Sequence, residues 1–211
     1  MSTENVEPEP AYSSAVFGAR LDLARRFTAN LAARGEQLGL IGPLELPRIW
    51  TRHILNSGLV APLLKPGRVG DVGSGAGLPG LVLAIARPDV SFTLIEPMER
   101  RVTWLNQQVA ELGLVNVEVL RDRAEDVILR TPLDQVTARA VSALRKLLPL
   151  TVPLLRDGGE LVLMKGANAQ AEIDSASKEL RKFKVVDVRV EVLGEGLTED
   201  VTRVIRGVVR R

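Results

Sequence analysis

The residues of this 211-residue chain best suited to chemistry lie between Val69 and Gly80, which read Val-Gly-Asp-Val-Gly-Ser-Gly-Ala-Gly-Leu-Pro-Gly. Gly73, Gly75 and Gly77 alternate directly after a short apolar run and directly before Leu81-Val-Leu-Ala-Ile-Ala. The spacing predicts a strand, a tight turn with positive φ angles and a helix start. Free N–H groups at such a start suit a polar or anionic ligand. Gly75-Ala-Gly77-Leu-Pro-Gly80 also satisfies the dinucleotide pattern G-x-G-x-x-G, a weak match by itself. Nearby acids narrow the ligand. Asp71 precedes the first glycine by two residues, placed to orient the loop or reach the ligand, and Glu96 ends the next apolar run. A carboxylate there can accept both hydroxyl protons of a ribose. A further acidic turn, Ala124-Glu125-Asp126, follows the next expected strand and could meet an adenine edge. Loop, ribose acid and adenine turn describe a nucleoside site more fully than a phosphate clamp.

A second set of residues is basic. Arg52-His53 stands in an expected helix with Asn56 one turn on and Ser57 beside it. A histidine that merely caps or packs the domain is the plainer alternative. Arg139 and Lys165 fall at expected strand ends, where a guanidinium can hold a phosphate or a guanine O6 and an ammonium can steady a phosphate. Their plainer roles are a partner to Glu125 or Asp126 and an exposed lysine. Arg100-Arg101 opens a helix, where cations oppose the dipole, so either an external anion or a solvated face is implied. Trp50 and Trp104 suit core packing better than base stacking.

These residues need a sheet to bring them together. Strands are expected at Arg68–Val72, Ser91–Ile95, Val117–Leu120, about Gln135–Ala138 and Glu160–Met164, separated by helices at Leu78–Ala86, Glu99–Leu112 and Leu144–Leu155. The alternation predicts a doubly wound, mostly parallel α/β sheet with its ligands at the carboxyl ends of the strands. After a helix around Ala171–Lys182, Lys184–Leu193 and Asp200–Val209 are joined too closely for a helical crossover, so an antiparallel pair should close the sheet edge. Helices at Ser13–Ala33 and Pro47–Leu64 precede the sheet. The expected organisation is a disordered tail at residues 1–12, then one domain made of a helical cap (13–66) and a Rossmann-like core (67–211).

Composition bounds the chemistry. There is no cysteine and one histidine, so neither a thiol nucleophile nor a thiolate or multi-histidine metal centre is expected. No apolar run approaches the roughly 20 residues of a membrane helix, and the acidic start is unlike a signal peptide, so a cytoplasmic protein is expected. Lys plus Arg number 28 against 26 Asp plus Glu, a mild excess concentrated near the end in Arg203, Arg206, Arg210 and Arg211. That asymmetry fits a polyanion-binding face or simply solvated charges.

The glycine motif Asp71-Val-Gly73-Ser-Gly75-Ala-Gly77 resembles the first motif of class I S-adenosylmethionine-dependent methyltransferases. More narrowly, Arg52-His53-Ile-Leu-Asn-Ser57, the Leu78-Pro-Gly80 extension, Thr137-Ala-Arg139-Ala-Val141 and Leu163-Met-Lys165-Gly166 resemble, in that order and spacing, the GidB/RsmG family. The resemblance implies a seven-stranded core with an antiparallel last strand and methylation of a guanine N7 in small-subunit (16S) ribosomal RNA. It implies S-adenosylmethionine contacts at Gly73, Gly75, Leu78, Glu96, Ala124, Glu125 and Arg139. It also implies acceptor contacts at Arg52, His53, Arg101 and Lys165, with Arg139 and Lys165 at the reaction centre. The implied partner is 16S ribosomal RNA or the small subunit, with no metal or membrane, and a monomer is expected. Two departures stand out: Asn56 occupies a position where many members have Asp, and Gly39-Leu-Ile-Gly-Pro replaces their Asn-Leu-Thr segment.

The chemistry agrees. Methyl transfer from a sulfonium chiefly requires a nucleophile held in a near-attack position. Methylation at pyrimidine C5 generally needs a thiol adduct, which this chain cannot form. Guanine N7 presents an in-plane lone pair and loses no proton, so it needs no base. A small-molecule methyltransferase, a nicotinamide-dependent oxidoreductase and a non-catalytic S-adenosylmethionine- or RNA-binding regulator are the alternatives.

Overall fold

The computed structural model describes residues 6–139, 141–198 and 200–211. Seven strands, β1 (Arg68–Val72), β2 (Ser91–Ile95), β3 (Val117–Leu120), β4 (Leu133–Arg139), β5 (Leu155–Lys165), β6 (Val185–Leu193) and β7 (Thr202–Val209), form one sheet in the order β3-β2-β1-β4-β5-β7-β6. Neighbours from β3 to β5 pair in parallel, and β7 runs antiparallel to both β5 and β6. The order reverses between β1 and β4, which opens a crevice at their carboxyl ends.

Side chains alternate between two buried layers, as the period of an extended chain requires. Phe92, Leu94, Val162, Met164 and Val204 enter one layer; Ile95, Leu161, Leu163 and Ile205 enter the other. Helices α1 (Ser13–Phe17), α2 (Leu21–Arg34), α4 (Gly80–Ala86) and α5 (Glu99–Leu112) cover the first layer. The second is covered by α6 (Leu144–Thr151), α7 (Ala169–Ser175) and α8 (Ser177–Lys182). The expected helix at 171–182 is thus two helices that meet at the fully buried Ala176. The one expected at 144–155 ends as a 3₁₀ turn through Pro153, so β5 begins earlier, at Leu155.

The largest departure from expectation is the segment 46–63. Instead of one α-helix it is a 3₁₀ turn (Leu46–Arg48), a π-helix (Ile49–Leu55), the short α3 (Asn56–Gly58) and a second 3₁₀ turn (Ala61–Leu63). The buried pairs Ile49/Ile54 and Trp50/Leu55 are each five residues apart, the spacing that an i→i+5 ladder stacks on one side. His53 is drawn inward with them. Gly58 then meets α1 so closely that a Cβ there would stand 2.6 Å from Val16 Cγ1 and 3.0 Å from Phe17 Cζ.

The first part of the chain also needs correction. Residues 6–12, assigned by composition to a disordered tail, lie along this segment: Glu7 N–H donates to Leu46 O at 3.0 Å, Glu7 Oε2 accepts Thr51 N–H at 3.0 Å, and Arg25 pairs with Glu9 at 2.6 Å. Their glutamates anchor backbone and arginine rather than repel one another in water. Residues 1–5 of that tail lie outside the described residues. Among the described residues no helix is long and apolar enough to cross a membrane.

Gly58→Ala should destabilise the fold by about 1–3 kcal/mol, because the added methyl forces α1 and α3 apart. Urea unfolding followed by tryptophan fluorescence checks it.

Candidate functional site

The glycine turn is held from beneath by the end of β2. Gly73 N–H donates to Ile95 O at 2.9 Å, while Gly75 N–H and Met98 N–H donate to opposite oxygens of Glu96, at 2.9 and 3.0 Å. Glu96 is 1% exposed. On the far side, Trp104 Nε1–H donates to Ala76 O at 3.0 Å, so this tryptophan is a buried strut and not a stacking surface. Trp50 is likewise core. The turn needs glycine at Gly73, whose φ is +71° and whose Cβ would stand 2.9 Å from Val141 Cγ2. Through that contact the loop after β4 rests directly on the loop after β1.

Asp71 is fully buried below the turn. Its Oδ2 accepts Gly80 N–H at 3.1 Å, and its Oδ1 has no partner among the described residues. Burial pushes its carboxyl up to about 7, the hydrogen bond from Gly80 and the Arg139 charge opposing the rise only in part. Arg101, expected on the acceptor side, stands instead 3.8 Å from Glu96. Leu78 is buried, and Ala124 is partly buried against the second core layer. Glu125 is exposed at the end of β3 and pairs loosely with Arg123 at 3.9 Å.

The basic residues converge on a separate open cleft of about 860 Å³ at the ends of β4, β5 and β7. Arg52, His53, Asn56, Arg139 and Lys165 all line it, together with Glu45, Glu172, Thr202 and Arg203. Arg139 Nη1 donates to Arg52 O at 3.1 Å and its Nη2 lies 2.6 Å from His53 Nδ1, so its partner is the π-helix and not Glu125 or Asp126. Burial lowers the Arg139 guanidinium to about 10, still charged at neutral pH. His53 Nε2 lies 2.7 Å from Glu45 Oε2. Burial and the Arg139 charge push His53 down to about 4 despite Glu45. Lys165 is not the exposed lysine of its plainer reading: its side chain is 7% exposed, and Nζ donates to Ser142 O at 2.6 Å and to Glu172 Oε2 at 2.9 Å. Glu172 Oε2 also accepts Leu144 N–H at 2.7 Å, which ties the β4 loop, the start of α6 and the end of β5 together. Asn56 carries no ion pair; its Nδ2 donates to Thr202 Oγ1 at 2.7 Å, and that hydroxyl donates to Asn56 O at 3.1 Å. Of the motif Thr137-Ala-Arg139-Ala-Val141, Ala140 lies outside the described residues.

Glu45, Glu172 and Thr202 were not foreseen. Glu45 precedes His53 by two helical turns, a spacing hidden by Pro47, and Thr202 is 146 residues from its partner Asn56. No local pattern signals the latter.

On the side of the glycine turn, Val141 packs over Gly73, and the buried Glu96 carboxylate carries one backbone donor on each oxygen. A turn of this kind on a sheet whose next-to-last strand runs opposite to the rest is the arrangement of class I S-adenosylmethionine-dependent methyltransferases. Solved structures agree on the fold: TYW2 from M. jannaschii in complex with AdoMet (TM-score 0.60, 21% identity, covering 77% of this chain and 78% of that one) and an O-methyltransferase from Thermotoga maritima (TM-score 0.58, 16% identity, 80% and 71%). The chain belongs to the GidB family, rRNA small subunit methyltransferase G, whose model matches residues 20–202. It is 74% identical to the ribosomal RNA small subunit methyltransferase G of Leifsonia xyli, over 99% of this chain and 100% of that one. It is 66% identical to the protein of that name from Clavibacter michiganensis, over 95% of each.

Two buried groups set opposed pH responses. His53 falls from 6.5 to about 4 on folding, so the unfolded chain binds more protons between those values and the fold gains stability as pH rises through them. Asp71 rises from 3.8 to about 7, so the fold binds more protons and loses stability as pH rises through that range. The two should nearly cancel between about pH 5 and 6.5. In Asp71→Asn the urea midpoint should climb with pH across that window, where the parent's stays nearly level.

Proposed function

We infer that this enzyme transfers the methyl group of S-adenosylmethionine to N7 of a guanine in 16S ribosomal RNA. One observation carries the acceptor assignment: the chain's single imidazole, His53, lines the cleft with both ring nitrogens already engaged, by Glu45 and by Arg139. Proton abstraction by that ring would need one of its nitrogens free. N7 attacks through its own in-plane lone pair and needs none.

When bound, S-adenosylmethionine supplies an electrophilic methyl carbon on its sulfonium. The chain's residues hold and orient. Gly73, Gly75 and Leu78 shape the cofactor side of the turn, Glu96 receives the ribose hydroxyls, and Ala124 and Glu125 border the adenine. Arg139 stands where the loop after β4 crosses Gly73, between the two sides. Its remaining N–H donors face a purine O6, and donors beside a lone pair in flight fix the angle of approach. Lys165 acts by keeping the Ser142 carbonyl and the β4 loop in place. Arg52 meets the acceptor backbone, while Arg101 supports Glu96. The helical segment and the sheet work as one domain in a single copy of the chain, in the cytoplasm with the ribosome.

Purified protein incubated with S-adenosylmethionine and small subunits from a strain lacking it should produce one new borohydride- and aniline-sensitive guanine in 16S RNA. Arg139→Ala should lower kcat on the order of 10²-fold and also weaken S-adenosylmethionine binding. Cofactor binding without any cleavage would overturn the acceptor assignment.

A further inference from the structure

Glu45 belongs to none of the motifs, yet it organises the acceptor side of the cleft. A single oxygen, Oε2, lies 2.7 Å from His53 Nε2 and 3.1 Å from Arg52 Nε. The opposite ring nitrogen of His53, Nδ1, lies 2.6 Å from Arg139 Nη2. A guanidinium offers only N–H donors, so Nδ1 must be the acceptor in that contact. The ring then carries its one proton on Nε2, where the Glu45 carboxylate takes it. The alternative tautomer would set N–H against N–H at Arg139 and a lone pair against a carboxylate at Glu45. A doubly protonated ring would turn its second N–H on the Arg139 cation, and Arg52 and Arg48 stand close by. Carboxylate and guanidinium thus hold a neutral imidazole in one orientation between them.

The consequence falls on Arg139. With Nη2 on His53 and Nη1 on Arg52 O at 3.1 Å, the guanidinium plane is fixed by two acceptors of the π-helix. Three of its five N–H donors remain for the cleft. We propose that Glu45 is a positioning residue for the transfer: by keeping the His53 proton on Nε2 it makes Nδ1 the acceptor that aims Arg139 at the target base. This rests on the methyl-transfer reading above.

His53 is the chain's one histidine, so protein grown with ¹⁵N-histidine reports on this ring alone. The full chain should give one Nε2–H imidazole with Nδ1 of the unprotonated type near neutral pH. In Glu45→Ala the spectrum should move to a tautomer mixture. On small subunits, kcat of that variant should fall at least tenfold while KM for S-adenosylmethionine stays within about twofold. Glu45→Gln, whose amide oxygen still accepts from Nε2–H, should keep the tautomer and restore most of kcat. Arg52→Gln, which removes the other partner of Oε2, should leave the tautomer as it is. An Nδ1–H ring in the parent protein, a tautomer indifferent to Glu45→Ala, or a changed tautomer with unchanged kcat would each overturn the proposal. A cooperative urea transition in each variant separates loss of aim from loss of fold. Absence of methyl transfer by the parent protein would instead tell against the acceptor assignment, and the spectra would still decide whether Glu45 sets the tautomer.

Discussion

The carboxylate of Glu96 joins the loop after β1 to the loop after β2. It accepts N–H groups from Gly75, beyond β1, and from Met98, beyond β2, in a site almost closed to water. A hydrogen bond to a charged acceptor in such surroundings is worth roughly 1.5–3 kcal/mol, and leaving its donors unmade costs a similar amount. The turn is therefore shaped before any ligand arrives. Trp104 fixes it from the other side through Ala76 O, and the contact of Val141 with Gly73 transmits that shape to the loop bearing Arg139. The glycine turn and the basic cleft are thus two faces of one packed joint.

The acceptor face is built from charges that constrain one another. Arg139 and Lys165 sit at the ends of adjacent parallel strands, and each is committed to backbone carbonyls as well as to a neighbouring side chain. Partly buried cations without such partners would be costly. Held this way, Lys165 on Ser142 O and Glu172 and Arg139 on Arg52 O and His53, both cations keep fixed positions at the cleft. Specific contact then involves a limited patch, in keeping with a chain that is only 3% aromatic.

The strands were legible because each carries a short apolar run bounded by turn residues, and β1, β2 and β3 begin and end where the pattern placed them. The turn was legible because its glycines answer to local backbone geometry. The π-helix was not, since the Arg52-His53 segment reads equally well as an amphipathic α-helix, and only packing of Ile49, Trp50, Ile54 and Leu55 beneath it selects the wider ladder. Arg139, His53, Arg52 and Lys165 could be named, but their mutual contacts could not. Thr202 escaped because its partner Asn56 is 146 residues away, and Glu45 because Pro47 interrupts the helical spacing to His53. Arg101 was misplaced because its position at a helix start says nothing of which loop it faces.

The position of β7 has a bearing on how the molecule is made. It follows β6 in the chain but lies between β5 and β6 in the sheet, and it brings Thr202 and Arg203 into the cleft. During synthesis from the amino end, β5 therefore waits with an open edge while β6 has nothing to pair with. The helical segment also lacks the hydroxyl on which Asn56 closes. Completion of the sheet and completion of the acceptor cleft become a single late event. Until β7 is in place, the cleft lacks the two residues, Thr202 and Arg203, that this strand supplies.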